Sequence, residues 1–208
     1  MDIAQFKRKP VMGILRGAHL DSIEPLLEVV IAAGLETIEI TMNTPGALVL
    51  IRKAAGVSRG RLTLGAGTVL SITDAKAAVE AGATFIVMPT LVREVVAYCV
   101  KNRVAAFPGA LTPQEIYTAW NEGATMVKVF PAKFFGPEYF KELKGPFNTI
   151  ELLACAGVTP ANVAAYFSHG ASAVSFGASV FKKEWLTQGD FTGIGPAIKD
   201  FLRNMPSC

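Results

Sequence analysis

The stretch AGLETIEITMNTPGALVLIRKAA, Ala33 to Ala55, holds one complete unit of the pattern that organises this chain. Gly34 suits the left-handed turn that closes a helix. Thr37 to Met42 alternates as a strand, with Ile38 and Ile40 on one face and Thr37, Glu39 and Thr41 on the other. Pro45 to Ala55 reads as a helix with Pro45 at a first-turn position. One residue breaks the expectation of a buried strand: Glu39 puts a charge in the middle of it.

The same unit recurs on both sides. Upstream, Val11 to Leu15 is a strand and Asp21 to Ala33 a helix, with Asp21 as its N-cap. Downstream, the strands are Leu62 to Gly65, Phe85 to Met88, Val104 to Phe107, Met126 to Phe130, Ile150 to Ala154 and Ala173 to Phe176. The helices are Ser71 to Ala81, Leu91 to Lys101, Thr112 to Asn121, Gly136 to Lys144, Thr159 to Ser168 and Phe191 to Arg203. The phrases AGL, AGA, EGA and HGA each close a helix just before a strand. The strands are short and apolar on both sides, as in a parallel sheet buried on both faces. Eight such units predict a closed (β/α)8 TIM barrel forming a single domain over residues 1–208. A doubly wound open sheet is the alternative, but it normally carries GxGxxG after its first strand, and this chain reads RGAHLD there.

Composition agrees with that size. The chain has 208 residues, near the lower end of about 200 for such barrels. It is 51% apolar and 18% charged, with a net charge of +3. Its two basic clusters, Lys7-Arg8-Lys9 and Lys182-Lys183, read as solvated surface rather than a nucleic-acid patch. Cys99, Cys155 and Cys208 are odd in number and far apart, which fits reduced thiols in a cytoplasmic protein and no structural metal. The first ten residues lack a signal-peptide core, and no apolar run reaches the roughly 18 residues of a membrane span.

Catalytic groups of a barrel sit at the C-terminal ends of its strands. Polar residues inside or just after the apolar runs are therefore the candidates, and two charges stand out. In MVKVF, Val127 and Val129 share one face and Lys128 lies on the other, as Glu39 does in TIEIT. The β-branched faces suit the helix ring, so Glu39 and Lys128 point into the barrel. They come from the second and sixth strands, which are opposite in a ring of eight. A buried ion pair that only fills space is the bland alternative. The chemical use is specific. A lysine amine attacks a ketone only when unprotonated, desolvation lowers its pKa, and a carboxylate can move the protons. The resulting iminium is an electron sink, so neither metal nor organic cofactor is needed.

Other strand ends are polar or rich in glycine and proline. Arg16 follows the first strand, Asn43 and Thr44 the second and Gly65-Ala66-Gly67-Thr68 the third. Pro89-Thr90 and Pro108-Gly109 follow the fourth and fifth, and Phe130-Pro131 the sixth. Each alone fits an ordinary turn; together they ring a cavity. Cys155-Ala156-Gly157-Val158-Thr159 and Gly177-Ala178-Ser179 follow the last two strands, where barrels often bind phosphate. His19 and His169 read as surface or loop histidines, and Trp120 and Trp185 as packing residues on the helix side. Phe134-Phe135 fits either the mouth of the site or a subunit interface.

The segments ILRG (Ile14–Gly17), AGLETIEITMNTP (Ala33–Pro45), GAGTVL (Gly65–Leu70), FPGALTPQE (Phe107–Glu115), VKVFPA (Val127–Ala132), FGPEYFKEL (Phe135–Leu143) and AGVTPANV (Ala156–Val163) together resemble one family nearly end to end. It is that of 2-keto-3-deoxy-6-phosphogluconate and 4-hydroxy-2-oxoglutarate aldolases, with the related phosphogalactonate enzymes. The resemblance implies that Lys128 forms a Schiff base and Glu39 is the acid/base. It places Arg16 and Thr68 against the pyruvate-derived part of the substrate. It also implies a cytoplasmic homotrimer without cofactor, acting on a small keto acid rather than on nucleic acid or membrane. The chain departs from the pattern at Asn43, where the gluconate-type enzymes read arginine. Ala156-Gly157 and Gly177-Ala178-Ser179 replace Gly-Gly and Gly-Gly-Ser, each adding a methyl where backbone approaches phosphate. The expected substrate is a 2-keto-3-deoxy sugar acid carrying a far-end phosphate held by Gly157, Ala178, Ser179, the helix start at Thr159-Pro160, Lys182 and Lys183. The alternatives are 4-hydroxy-2-oxoglutarate, a non-aldolase barrel enzyme using Lys128 only as a charge, and a non-catalytic ligand-binding barrel. Glu39, Lys128, Thr68 and Arg16 together argue against the last.

Overall fold

In the computed structural model, which describes residues 1–206, the strands are β1 (Val11–Leu15), β2 (Thr37–Thr41), β3 (Thr63–Gly67), β4 (Phe85–Val87), β5 (Ala105–Phe107), β6 (Gly109–Ala110), β7 (Val127–Val129), β8 (Leu152–Cys155) and β9 (Ala173–Phe176). All pair in parallel in the order β5-β4-β3-β2-β1-β9-β8-β7-β6. The two ends of that order, β5 and β6, are one strand interrupted at Pro108. β5 pairs with β4 and β6 with β7, and the Pro108 carbonyl accepts the Lys128 N–H at 2.9 Å. The ring therefore closes, with eight strand positions built from nine segments. Proline has no N–H to give a ladder, which accounts for the break.

Among the described residues ten α-helices surround or cap the ring: α1 (Ile3–Arg8), α2 (Ile23–Ala32), α3 (Ala47–Ser58), α4 (Ile72–Glu80), α5 (Arg93–Asn102), α6 (Pro113–Asn121), α7 (Gly136–Lys144), α8 (Val163–Ser168), α9 (Lys183–Gln188) and α10 (Ile194–Arg203). The predicted barrel and its eight repeats stand. The four helix-closing glycines, Gly34, Gly82, Gly123 and Gly170, have φ of +89°, +112°, +100° and +99°. That backbone is one glycine adopts without a Cβ clash.

Several boundaries differ from the sequence reading. α1 and α9 were not anticipated. Asp21 does not cap α2; the helix starts after Ser22 without a side-chain cap bond. Pro45 precedes α3 rather than opening it, because left-handed Gly46 intervenes. β3 extends two residues further, to Gly67, and β8 extends to Cys155, so residues read as loop are in the wall of the barrel. Cys208 lies outside the described residues.

Side-chain alternation splits the apolar residues into two cores. The larger lies between strands and helices and includes Ile38, Ile40, Val127 and Val129, with Trp120 and Trp185 packed at its edge. The smaller fills the barrel: Met12, Phe85, Phe107, Met126 and Leu153. Phe6 of α1 enters it from below, edge-on to Phe107 with centroids 6.1 Å apart. Lys7–Glu151 and Lys9–Glu36 ion pairs tie the segment to residues just before β8 and β2. The N-terminal end of the barrel is thus plugged, and free space is left at the other end. Among the described residues no helix is long and apolar enough to cross a membrane.

Candidate active site

β2 and β7 deliver the two inward charges. Glu39 is 1% exposed and Lys128 6% exposed. Room for Glu39 comes from β3, where Gly65 and Gly67 take inward positions. A Cβ on Gly67 would lie 2.2 Å from Glu39 Oε1, and one on Gly65 would lie 2.3 Å from the Phe85 ring. The GAG segment, read from sequence as turn chemistry, is instead strand with its side chains removed to seat a carboxylate and an aromatic ring.

Both charges line one cavity of about 1110 Å³ at the C-terminal end of the strands. Among the described residues they make no direct ion pair, and Glu39 Oε2 is buried without a hydrogen-bond partner. Burial raises the Glu39 pKa, against the opposing pull of Lys128 and Arg16. Burial pushes the Lys128 amine down, but the Cys155 sulfur and the Glu39 carboxylate push it up more, so the net direction is upward. The Lys128 ammonium also sits 5.3 Å from the centroid of the Phe130 ring. The lowered lysine pKa expected from burial alone is thus reversed by these neighbours, and the Glu39 carboxylate, its own proton affinity raised, is the group placed to take the proton the amine must lose before it attacks a carbonyl.

The remaining predicted site residues, Arg16, Asn43, Thr68, Pro89, Gly157, Ala178 and Ser179, line the same cavity. The Arg16 guanidinium makes a long bond, 3.4 Å, to Thr68 Oγ1. Thr68 has φ +55°, an outlier for a β-branched residue; such strain clusters at working sites. The N–H groups of Gly157, Ala178 and Ser179 have no backbone partner among the described residues.

Two details of the expected phosphate pocket are corrected. The Thr159 N–H donates to Asn162 Oδ1 at 2.8 Å, and α8 begins only at Val163, so Thr159-Pro160 is not a free helix start. The Lys182 ammonium lies over the Trp185 ring at 4.4 Å and does not line the cavity, whereas Lys183 does. His19 is on a loop at the mouth, and His169 is bonded to Glu138 away from it. Phe134 and Phe135 are exposed and outside the cavity lining.

Sequence reasoning missed Ser175 and Lys133 as lining residues, and read Cys155 as loop where it is the last residue of β8. Strand alternation carried the signal for Cys155 and Ser175. Cys155 follows Leu153 and Ser175 follows Ala173 on inward faces, and extending β8 by one residue would have included Cys155. Lys133 is placed by close loop packing: a Cβ on Gly157 would meet its Cβ at 2.4 Å. Arg16, Lys128, Lys133 and Lys183 face the space, with Glu39 the one acidic side chain in the lining.

A closed parallel barrel that brings an inward lysine and a carboxylate to one cavity at the C-terminal end of its strands has the layout of a barrel enzyme. The sequence comparisons make it specific: residues 3–197 match the family model described as KDPG and KHG aldolase, and the chain belongs to that family. It is 33% identical over 174 residues to the 2-dehydro-3-deoxy-6-phosphogalactonate aldolase of Escherichia coli K12, covering 83% of this chain and 85% of that one. It is 36% identical over 160 residues to the 2-dehydro-3-deoxy-phosphogluconate aldolase of Pseudomonas aeruginosa, covering 76% and 71%. The solved 2-keto-3-deoxy-6-phospho-gluconate aldolase of Zymomonas mobilis superposes with a TM-score of 0.87 at 27% identity, over 100% of each chain. The protein is an aldolase, a carbon–carbon lyase.

Proposed function

We propose that the chain is a class I aldolase that cleaves a 2-keto-3-deoxy sugar acid to pyruvate and an aldehyde through a Schiff base on Lys128. The observation that carries this is the buried Lys128 amine facing the unpartnered Glu39 carboxylate across one cavity. The amine adds to the C2 ketone, and the carbinolamine loses water to give an iminium. Glu39 moves the protons in both steps. A base then removes the C4 hydroxyl proton, the C3–C4 bond breaks, and its electron pair passes to the iminium nitrogen as an enamine. The aldehyde leaves, C3 takes a proton, and water releases pyruvate from the lysine. Arg16, with Thr68, holds the carboxylate of the keto acid, and Asn43 stands beside it. Pro89 and Phe130 wall the reacting end.

The positive lining supports a substrate with anions at both ends. One is the carboxylate near Arg16. The other lies by Lys183 and the free N–H groups of Gly157, Ala178 and Ser179, which suits a phosphate. A 4-hydroxy-2-oxoglutarate substrate, with a second carboxylate, is the competing reading. It is favoured by Ala156 and by the occupied Thr159 N–H. The exposed Phe134 and Phe135 fit a subunit contact of the homotrimer that the family resemblance implies, and the resemblance also implies a cytoplasmic enzyme.

Incubation with pyruvate and borohydride tests the mechanism. The expected result is a reduced three-carbon adduct on Lys128 by peptide mass spectrometry, and none on a Lys128→Ala variant shown to be folded. An active protein with no adduct, or with one elsewhere, removes the proposal.

A further inference from the structure

The loops that carry Arg16 and Asn43 are tied together by buried hydroxyls that no step above uses. Thr41 ends β2 on the same inward face as Glu39 and is fully buried. The chain then turns back. The Thr44 N–H donates to the Thr41 carbonyl at 2.9 Å, which leaves Asn43 exposed in the middle of a four-residue turn. The Thr44 side chain folds inward and is 4% exposed. Its Oγ1 accepts the Gly17 N–H at 3.0 Å and shares a 3.0 Å hydrogen bond with Thr41 Oγ1.

Gly17 directly follows Arg16 and has φ +77°, a left-handed conformation that glycine adopts without a Cβ clash. The guanidinium end is much less constrained. Among the described residues its one hydrogen-bond partner is Thr68, at 3.4 Å, too long to fix a flexible side chain alone. The backbone beside Arg16 is therefore held better than its head group. We propose that Thr44 is a positioning residue: its hydroxyl, backed by Thr41, fixes the Arg16–Gly17 peptide so that Arg16 meets the carboxylate of the keto acid.

This rests on the reading of Arg16 as the carboxylate holder, and the test separates the two. Half-saturating pyruvate is read from borohydride trapping in the wild type, Thr44→Val, Thr44→Ser, Arg16→Ala and the Thr44→Val/Arg16→Ala double variant. Thr44→Val keeps the shape and removes the acceptor. It should raise half-saturating pyruvate by about tenfold, the size of one lost hydrogen bond to a charged group, while the extent of trapping at saturation holds. Thr44→Ser keeps the hydroxyl and should stay within about twofold of wild type. In the Arg16→Ala background Thr44→Val should add little, because residues acting through one contact are not additive. Unchanged pyruvate saturation in Thr44→Val, a raised value in Thr44→Ser, or full additivity with Arg16→Ala overturns the positioning role. If Thr44→Val proves unfolded, the serine variant and Thr41→Val carry the same comparison. Failure of Arg16→Ala to weaken pyruvate instead removes the carboxylate assignment, and absence of any wild-type adduct removes the Schiff base.

Discussion

Gly67 and Glu39 share one volume: the carboxylate of β2 occupies the space a side chain on β3 would fill, with 2.2 Å between Oε1 and the nearest possible Cβ. Gly67 does not have positive φ, so its lack of a side chain serves space and not backbone freedom. Gly67→Ala should therefore push Glu39 out of position. Overpacking costs about 1–3 kcal/mol, and a misplaced acid/base costs roughly 10²-fold or more in kcat. Gly65→Ala is the control, since its clash falls on the Phe85 ring; it should lose comparable stability and much less kcat. Thermal melts and steady-state rates on both variants decide the matter. Equal losses of kcat in the two would mean that general loosening of the barrel, and not Glu39, is responsible.

The raised Glu39 pKa sets a pH dependence with a definite sign. Burial is its cause, and Lys128 and Arg16 oppose it. In its proposed acid/base role Glu39 must ionise to accept a proton, so kcat/KM should fall as pH drops through a value above the ordinary carboxylate pKa of about 4.3. Glu39→Gln should remove that acid limb and lower kcat by roughly 10² to 10⁴-fold. Stability runs the other way. The folded state holds this proton more tightly than the unfolded chain, so the Glu39 contribution worsens as pH rises from about 4.3 through the raised native value. A glutamine variant with near-normal kcat, or one that keeps the acid limb, would assign the proton transfers to another group.

The α1 plug should be structural and remote from chemistry. Phe6 is buried against Phe107 at the closed end of the barrel. Phe→Ala changes in cores cost about 3–5 kcal/mol, and each kcal/mol shifts Tm by roughly 2–4 °C in a chain of this size. Phe6→Ala should thus lower Tm by about 6 °C or more, with kcat measured well below the melt kept within about twofold. A shift under about 2 °C would show that α1 contributes little to the closed end.

The legible part of this fold was what alternation and helix-closing glycines encode. Ile38/Glu39/Ile40 and Val127/Lys128/Val129 announce which face is wet or chemical, and all eight repeats end where a glycine or a short turn permits. Less legible was anything decided by neighbours distant in sequence. Gly65 and Gly67 look like loop residues until Phe85 and Glu39 are placed opposite them. α1 is only six residues and owes its helix to Phe6 reaching the barrel interior and to an Asp2 cap, not to periodicity. The Thr159 N–H looked free until Asn162, three residues on, turned back to take it. The break at Pro108 was marked by the proline itself, yet its meaning, closure of the ring, needed both β4 and β7.

The two extra methyls in the expected phosphate loops give the last prediction. Ala156 has φ +73°, a conformation that costs a residue with a Cβ roughly 1–2 kcal/mol. Glycine there relieves that strain but enlarges the unfolded ensemble by about 0.4–1 kcal/mol. Ala156→Gly should therefore be neutral or stabilising, by at most about 1.5 kcal/mol, where an alanine-to-glycine change inside a helix would destabilise. Gly157 cannot be altered in the opposite sense, because any Cβ would strike Lys133. With Ala178→Gly added, the Gly157, Ala178 and Ser179 N–H groups become more approachable. If phosphate docks there, the double variant should raise kcat/KM for a 6-phospho keto-deoxy acid over its unphosphorylated form. One recovered charge-assisted hydrogen bond is worth about 1.5–3 kcal/mol, or roughly 10 to 150-fold. The wild-type ratio comes first. Should removing the phosphate cost less than about tenfold, the low end of that range, the site does not use it and 4-hydroxy-2-oxoglutarate becomes the better substrate. A wild-type enzyme that prefers phosphate, with a double variant that leaves the ratio unchanged, would place the anion at the Lys183 side of the cavity and acquit both methyls.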